Sequence, residues 1–150
     1  MKKLIEFKKH LRSKNIDAYI IPKYDLFFSE ELMESDERLK FISNFSGSAG
    51  WGVITASFKL KSVVISDGRY QQQLKKEVSQ KEFVILDGGL NKIIEFLNSH
   101  KQIKIIGVDT KLITINQFKL LESELKIENI KFMLSIKNLV DEIWNNKPII

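Results

Sequence analysis

Six short apolar runs alternate with turns and with segments of helical periodicity, and this alternation constrains the fold more than any other feature of the sequence. The runs are residues 17–22, 51–56, 60–66, 82–87, 104–109 and 130–136. Each has the length of a buried β-strand. Only three residues separate the second run from the third, which predicts an antiparallel β-hairpin. Strands that otherwise alternate with helices predict an α/β fold, with a mixed β-sheet in a single domain.

The segments between the strands carry helix signals. Residues 2–14 place Leu4, Phe7 and Leu11 on one stripe, which predicts an amphipathic helix. Residues 23–35 have no clear period and are expected to form a loop with at most a short helical turn. Further helices are expected to start at Ser35, after Asp67, near Leu90, after a Thr114-x-x-Gln117 capping box and at Asn138. The helix after the capping box is expected to bury Ile115, Phe118, Leu121 and Leu125.

Composition excludes several classes of protein. Of 150 residues, 43% are hydrophobic and 29% charged, as in a soluble globular domain. Without cysteine the chain has neither disulfides nor thiolate metal sites, which suits a reducing cytosol. The net charge of +5 comes from scattered lysines rather than a basic block, so we expect no nucleic-acid partner. No apolar run approaches the ~18 residues of a membrane span. His10 and His100 are expected to be solvated surface residues.

The stretch Phe45–Gly52, FSGSAGWG, has the composition of a ligand-binding loop. A phosphate cradle is disfavoured, because the glycines follow the order G-x-x-G-x-G, after a helix and before a strand, and no helix N-terminus follows them. A nucleophile elbow is disfavoured because Ser48 is out of register with G-x-S-x-G. The glycines therefore serve the backbone, either in a tight turn or in a loop packed against another domain, subunit or ligand. We expect Gly47 and Gly50 to have conformations or contacts that exclude a side chain.

A second candidate motif, Asp67-Gly68-Arg69-Tyr70, lies at a strand-to-helix junction. Asp67 is expected to cap the helix by accepting the backbone N–H of Tyr70. The planar fork of Arg69 predicts a carboxylate partner, in this chain or in another. A cap with a structural ion pair and a role toward a partner both fit this motif.

Taken in order, these strings resemble one family. They are AYIIP, Asp25, Ser29-Glu30, Arg38-x-x-Phe41, SNFSGSAGWGVIT, DGRYQQQ and NLVDEIW. Together they closely resemble the N-terminal domain of Xaa-Pro aminopeptidases, in the creatinase/prolidase superfamily, over roughly residues 17–148. Its most specific pieces are F-x-G-S-A-G and D-G-R-Y at their mutual spacing. The resemblance implies a six-stranded mixed sheet flanked by α-helices.

The resemblance also implies a function. Such enzymes are metallopeptidases that remove the residue before a proline in second position, a hydrolase reaction of a separate C-terminal pita-bread domain. Two divalent metals, usually manganese, are held there by two aspartates, a histidine and two glutamates, none of which maps onto this sequence. We therefore expect no catalytic residue, metal ligand or cofactor in this chain. The N-terminal domain is expected to border the active site and to aid dimerisation. The residues that match the family motifs, and are candidates for that rim or interface, are Phe45, Gly47, Ser48, Ala49, Gly50, Asp67, Gly68, Arg69 and Tyr70.

The resemblance suggests a domain organisation as well. Residues 1–137 are expected to form the N-terminal domain, and residues 138–150 to begin the connection to a second domain and the catalytic domain. The chain is thus expected to be cut from a longer cytoplasmic protein, whose partners are its own catalytic domain, a second copy and a proline-containing peptide. One alternative is a peptide- or protein-binding module of a catalytically degenerate superfamily member. Another is a free-standing interaction domain.

Overall fold

The computed structural model describes residues 2–23, 33–135 and 137–148. The sequence matches at Asp25 and Ser29-Glu30 lie outside these described residues. The described helices are α1 (Lys2–Ser13), α2 (Arg38–Ser43), α3 (Gln71–Glu77), α4 (Leu90–Asn98), α5 (Ile115–Glu124) and α6 (Leu139–Ile143). The strands are β1 (Ala18–Pro22), β2 (Trp51–Thr55), β3 (Ser62–Ser66), β4 (Phe83–Asp87), β5 (Ile105–Asp109) and β6 (Lys131–Ser135). Short 3₁₀ turns cover Glu34–Asp36 and Gly68–Tyr70.

The six strands form one mixed sheet in the order β4-β3-β2-β1-β5-β6. Strand β2 is antiparallel to both of its neighbours, β1 and β3, whereas the other pairs are parallel. This confirms the predicted hairpin and the predicted α/β class with a six-stranded mixed sheet. Because β2 runs opposite to the rest, its first residue lies at the same edge of the sheet as the last residues of the other five strands.

Helices cover both faces of the sheet. On one face, apolar residues of α1, α2, α3 and α6, such as Leu4, Ile42 and Leu74, share a core with Tyr19 of β1. On the other face, α4 and α5 pack over the alternate strand residues. The five-residue strands β1, β2 and β3 are buried along their whole length, since each has a helical layer on both sides. None of the helices in the described parts of the chain is long and apolar enough to cross a membrane.

Local sequence signals place most of the elements correctly, but several details differ. The capping box is present as predicted: the Thr114 hydroxyl accepts the N–H of Gln117, whose side chain accepts the N–H of Thr114. Ser35, however, does not cap a helix; it is buried in the 3₁₀ turn, and α2 begins three residues later without a side-chain cap. Ile115 is 74% exposed rather than part of the core, whereas Leu121 of the same helix is buried.

Lys8 of α1 is a charged residue inside the core. Its Nζ donates to the Thr55 hydroxyl at 3.1 Å and to the carbonyls of Ser57 and Leu60 at 2.8 and 3.0 Å. Burial lowers the pKa of this ammonium, and Glu82 offsets part of the effect. The three acceptors satisfy its three N–H groups, and so α1 is tied to the turn of the β2–β3 hairpin.

Polar contacts hold helix α6 and the residue before it against α2 and the sheet. Arg38 of α2 makes a bidentate pair with Asp141, at 2.9 and 3.1 Å. The Tyr19 hydroxyl accepts the N–H of Leu139 at 3.2 Å, and Asn138 donates to Asp109 at 3.0 Å. Residues 138–143 thus pack on the core in this structure, while a domain boundary at residue 137 stays a prediction.

Candidate functional site

Both motifs singled out from the sequence lie at one edge of the sheet. The loop of residues 44–50 enters β2 there, and residues 67–70 leave the carboxyl end of β3 at the same edge. In open α/β sheets this edge, outside the carboxyl ends of the strands, is where ligands usually bind. Asn44 begins the loop: with φ at 69° it ends α2 in the left-handed conformation.

The glycines of the loop are required by close packing. A Cβ on Gly47 would overlap the ring of Phe45, and one on Gly50 would lie 2.8 Å from the carbonyl oxygen of Ile65 and 3.2 Å from the Phe45 ring. Phe45 is fully buried, and its ring meets Tyr70 edge-to-face at 6.1 Å. The predicted exclusion of side chains at both glycines is therefore confirmed, and it arises from contact rather than from a positive φ.

The loop is held by side chains from the elements around it. Glu77 accepts the N–H of Ser46 at 2.9 Å and its hydroxyl at 2.6 Å. The hydroxyl of Ser66 donates to the carbonyl of Ala49 at 2.6 Å, and the hydroxyls of Ser48 and Tyr70 share a short hydrogen bond. Through Tyr70, the structure joins the two motifs into one unit.

Lys23, the residue after β1, contacts both ends of the loop. Its N–H donates to the carbonyl of Gly50 at 3.0 Å, and its Nζ donates to the carbonyl of Phe45 at 3.3 Å. Nζ also lies 3.0 Å from Glu37 Oε2 and 5.2 Å from the centroid of the Phe45 ring. Glu37 Oε2 has no hydrogen-bond partner among the described residues, so its contact with Lys23 is an ion pair outside hydrogen-bond geometry.

Asp67 and Arg69 pair within their own motif. The Asp67 carboxylate accepts from Arg69 Nε at 3.0 Å and Nη2 at 2.8 Å, which confirms the predicted carboxylate partner. Asp67 does cap the turn, but its side chain accepts the N–H of Arg69 at 3.0 Å. The expected donor, Tyr70 N–H, instead donates to the Asp67 backbone carbonyl, since the turn that follows is 3₁₀ rather than α-helical.

Hydrogen bonds, neighbouring charges and burial shift the pKa values of three charged residues in the site. The hydrogen bond from Arg69 holds the pKa of Asp67 below its ordinary value, although both side chains are exposed. Burial lowers the pKa of Lys23, and the nearby Glu37 carboxylate opposes that shift. Burial alone would raise the pKa of Glu77, but the hydrogen bonds from Ser46 and Gln73 and the charge of Lys23 together outweigh it, and the pKa is lowered. Glu77 thus accepts from the loop as a carboxylate at neutral pH.

Sequence reasoning identified the loop but not its anchors. Lys23, Ser66 and Glu77 hold it from three different elements, and none lies within a recognisable motif. A charged residue directly after the apolar strand β1 was the one local signal for Lys23.

The described residues contain no group of three or more histidine, aspartate or glutamate side chains that could hold a metal ion. His10 pairs with Glu142 at 2.8 Å, and His100 Nδ1 lies 2.8 Å from the carbonyl of Phe96. Both histidines are partly buried, so the expectation of solvated side chains was wrong. A cleft of about 520 Å³ lies between α1, α2 and residues 143–148; its lining includes Asn44 but none of the nine motif residues.

Comparison with known proteins identifies the family of the chain. The creatinase/prolidase N-terminal domain family matches residues 3–143. The chain belongs to that family. This confirms the resemblance inferred from the ordered motifs.

Curated relatives of this creatinase/prolidase N-terminal domain are much longer proteins. A probable Xaa-Pro aminopeptidase P of Colletotrichum graminicola is 34% identical over 95% of the chain. One from Coprinopsis cinerea is 32% identical over 97% of the chain. The chain spans 23% and 24% of the lengths of these relatives.

Solved structures share the fold. The X-prolyl aminopeptidase of Caenorhabditis elegans, described as a cytosolic enzyme with a di-nuclear active site, has a TM-score of 0.81 and 26% identity; the match covers 99% of this chain and 26% of that one. The N-terminal domain of the cytoplasmic peptidase PepQ of Mycobacterium tuberculosis has a TM-score of 0.74 and 17% identity, and the match covers 94% of this chain and 97% of that one. The second likeness supports the fold alone.

Proposed function

We propose that this chain is the non-catalytic N-terminal domain of a cytoplasmic Xaa-Pro aminopeptidase, which hydrolyses the bond between the first residue of a peptide and a proline in second position. The observation that carries the proposal is the match of 95% of the chain to less than a quarter of a probable Xaa-Pro aminopeptidase P. The description of the C. elegans relative as cytosolic and di-nuclear supports the compartment and a two-metal catalytic domain. We expect manganese as the metal, and we expect the complete protein to be a dimer.

Within that protein, the two joined motifs form part of the rim of the active site. Their outer surface consists of the exposed Ser46 and Ser48 and the exposed Asp67–Arg69 pair. The paired charges largely cancel, so this surface offers hydrogen-bonding groups with little net charge. Because Lys23 and Glu77 already hold the loop, a peptide that contacts the rim need not order it, and binding loses less entropy there.

The rim has no role in the chemistry itself. The metals, and the activation of a water molecule for attack on the Xaa-Pro bond, would be supplied by the proposed catalytic domain. The residues of this chain would act by limiting the length and direction of the peptides that enter.

Hydrolysis of an Xaa-Pro peptide tests the proposal directly. The 150-residue chain and the complete polypeptide would each be incubated with manganese and such a peptide, with a peptide carrying alanine in second position as the control. We expect the complete polypeptide alone to release the first residue, and only from the proline peptide. Release by the 150-residue chain would refute the non-catalytic role. A complete polypeptide that binds the proline peptide without cleaving it would favour the binding-module alternative.

A further inference from the structure

Lys23 contacts the loop at both of its ends. The residues from Phe45 to Gly50 connect the end of α2 to β2, and Lys23 binds the carbonyl oxygen at each end of that span. Its backbone contact with Gly50 continues the strand pairing of β1 and β2. Its side-chain contact with Phe45 is different, because it brings a charge into a site where Lys23 is only 3% exposed.

Burying an ammonium is costly, and here the cost is only partly offset. The lowered pKa of Lys23 reports that cost. Glu37 supplies the counter-charge at 3.0 Å, but it does not accept a hydrogen bond from Nζ. Among the described residues, Nζ therefore donates its hydrogen bond to the carbonyl of Phe45, and it also lies over the Phe45 ring. A methionine of similar length would fill the space of the lysine stem without either polar contact.

The rest of the loop packs against Phe45, so the position of Phe45 determines where its neighbours lie. Its ring occupies the space where a side chain on Gly47 would lie, and it would lie 3.2 Å from a Cβ on Gly50. The ring also packs against Tyr70, whose hydroxyl is bonded to Ser48. A shift of the Phe45 backbone would thus displace both glycines and the exposed Ser48.

We propose that Lys23 is the positioning residue of this loop and, on the basis of the proposed function, that it sets which peptides the rim admits without touching them. The ammonium fixes Phe45, Phe45 fixes the two glycines and Tyr70, and these fix the outward face of the loop. The role requires both the charge and the donor of Lys23.

Amide hydrogen exchange in the 150-residue chain tests the positioning role. We expect Lys23→Met to accelerate exchange at the Phe45 and Ser46 amides by about tenfold or more, the loss expected for a hydrogen bond from a charged donor. Lys23→Arg should restore part of the protection. Lys40→Met is the matched control, because Lys40 is an exposed lysine whose charge lowers the pKa of Lys23. Its removal takes away a repelling charge without removing a contact of the loop, so exchange should not accelerate. Wild-type exchange in Lys23→Met, or equal acceleration in Lys40→Met, would overturn the proposal.

A second variant covers the case in which Lys23→Met does not fold, as judged by circular dichroism. Glu37→Gln removes the counter-charge and keeps the shape of the side chain. We expect it to accelerate the same amides by a smaller factor, and no acceleration in this variant would count against the role of the ammonium.

Peptide selectivity in the complete polypeptide tests the link to the rim. Lys23→Met should change the ratio of kcat/KM for a longer and a shorter Xaa-Pro peptide by about tenfold, and Lys40→Met should leave it unchanged. Loosened loop amides with an unchanged ratio would overturn the selectivity role while upholding the positioning role. An inert wild-type polypeptide would instead refute the proposed function, and the exchange result alone would then decide the role of Lys23.

Discussion

At the scale of single residues, the glycines of the loop are required because neighbouring atoms leave no room for a side chain. Gly50 faces a backbone carbonyl and Gly47 faces an aromatic ring of its own loop. A backbone atom of a buried strand cannot move aside as the end of a flexible side chain can. The two positions therefore differ in how they should respond to an added methyl group.

We predict that Gly50→Ala lowers the free energy of unfolding by about 1–3 kcal/mol, because the new Cβ would overpack against Ile65 O. Urea unfolding measures the change. Gly68→Ala is the control: a Cβ there would meet only Asp87 Oδ2, at 3.7 Å, and we expect a change within about 0.5 kcal/mol. Equal losses in the two variants would contradict the packing argument.

Acid stability should depend on Asp141. Burial alone would raise the pKa of this carboxyl, but hydrogen bonds from Arg38 and Lys147 outweigh it and the pKa is lowered. The folded pKa lies below the unfolded one, so the contribution to stability is present above the ordinary value of 3.8 and is lost as the pH falls through the folded pKa. We expect Asp141→Asn to lose about 3 kcal/mol at pH 7 and to show a flatter decline in acid.

Unfolding measured from pH 7 to pH 2 would check both effects. Glu142→Gln, on the same helix, is the comparison: its contacts with His10 and Lys14 are more exposed, so its loss should be below about 1 kcal/mol. If Asp141→Asn were as stable as the wild type at pH 7, the Arg38–Asp141 pair could not be what holds α6 on the core.

At the scale of elements, local chemistry decided where most helices and strands begin and end. The hairpin and the Thr114–Gln117 capping box were both predicted from short-range signals, and both are present. The hairpin connection is longer than the predicted three residues, since residues 56–61 separate β2 from β3. The predicted helix start at Ser35 was wrong, because the chain there forms a 3₁₀ turn in which Ser35 is buried. Tertiary packing therefore outweighs the local capping preference at this residue.

The capping box yields a prediction for α5. Thr114→Ala removes the acceptor of the Gln117 N–H, and we expect a loss of about 1 kcal/mol in the free energy of unfolding. Asn116→Ala, an exposed position in the same turn, should change stability little. Thermal and urea unfolding of the two variants would distinguish them, and a neutral Thr114→Ala would mean that packing alone holds α5.

At the scale of the whole molecule, the sheet topology brings together what the sequence keeps apart. The loop and the D-G-R-Y motif are each recognisable alone, but their meeting follows from β2 running against β3 at one sheet edge. Lys23 is 22 residues from Phe45, and no short-range pattern links them. The fold class was thus predictable from local periodicity, whereas the anchors of the site depend on contacts between distant segments.

The buried Lys8 has a consequence for how the molecule opens. Its ammonium lies inside the turn of the β2–β3 hairpin, bonded to residues 47 to 52 positions away along the chain. Local unfolding of α1 would remove the Lys8 donor from three acceptors, and opening of the turn would take those acceptors away from the ammonium. Helix α1 and the hairpin should therefore open as one cooperative unit, and the amides of α1, β2 and β3 should share a single protection factor that those of the distal strand β6 do not.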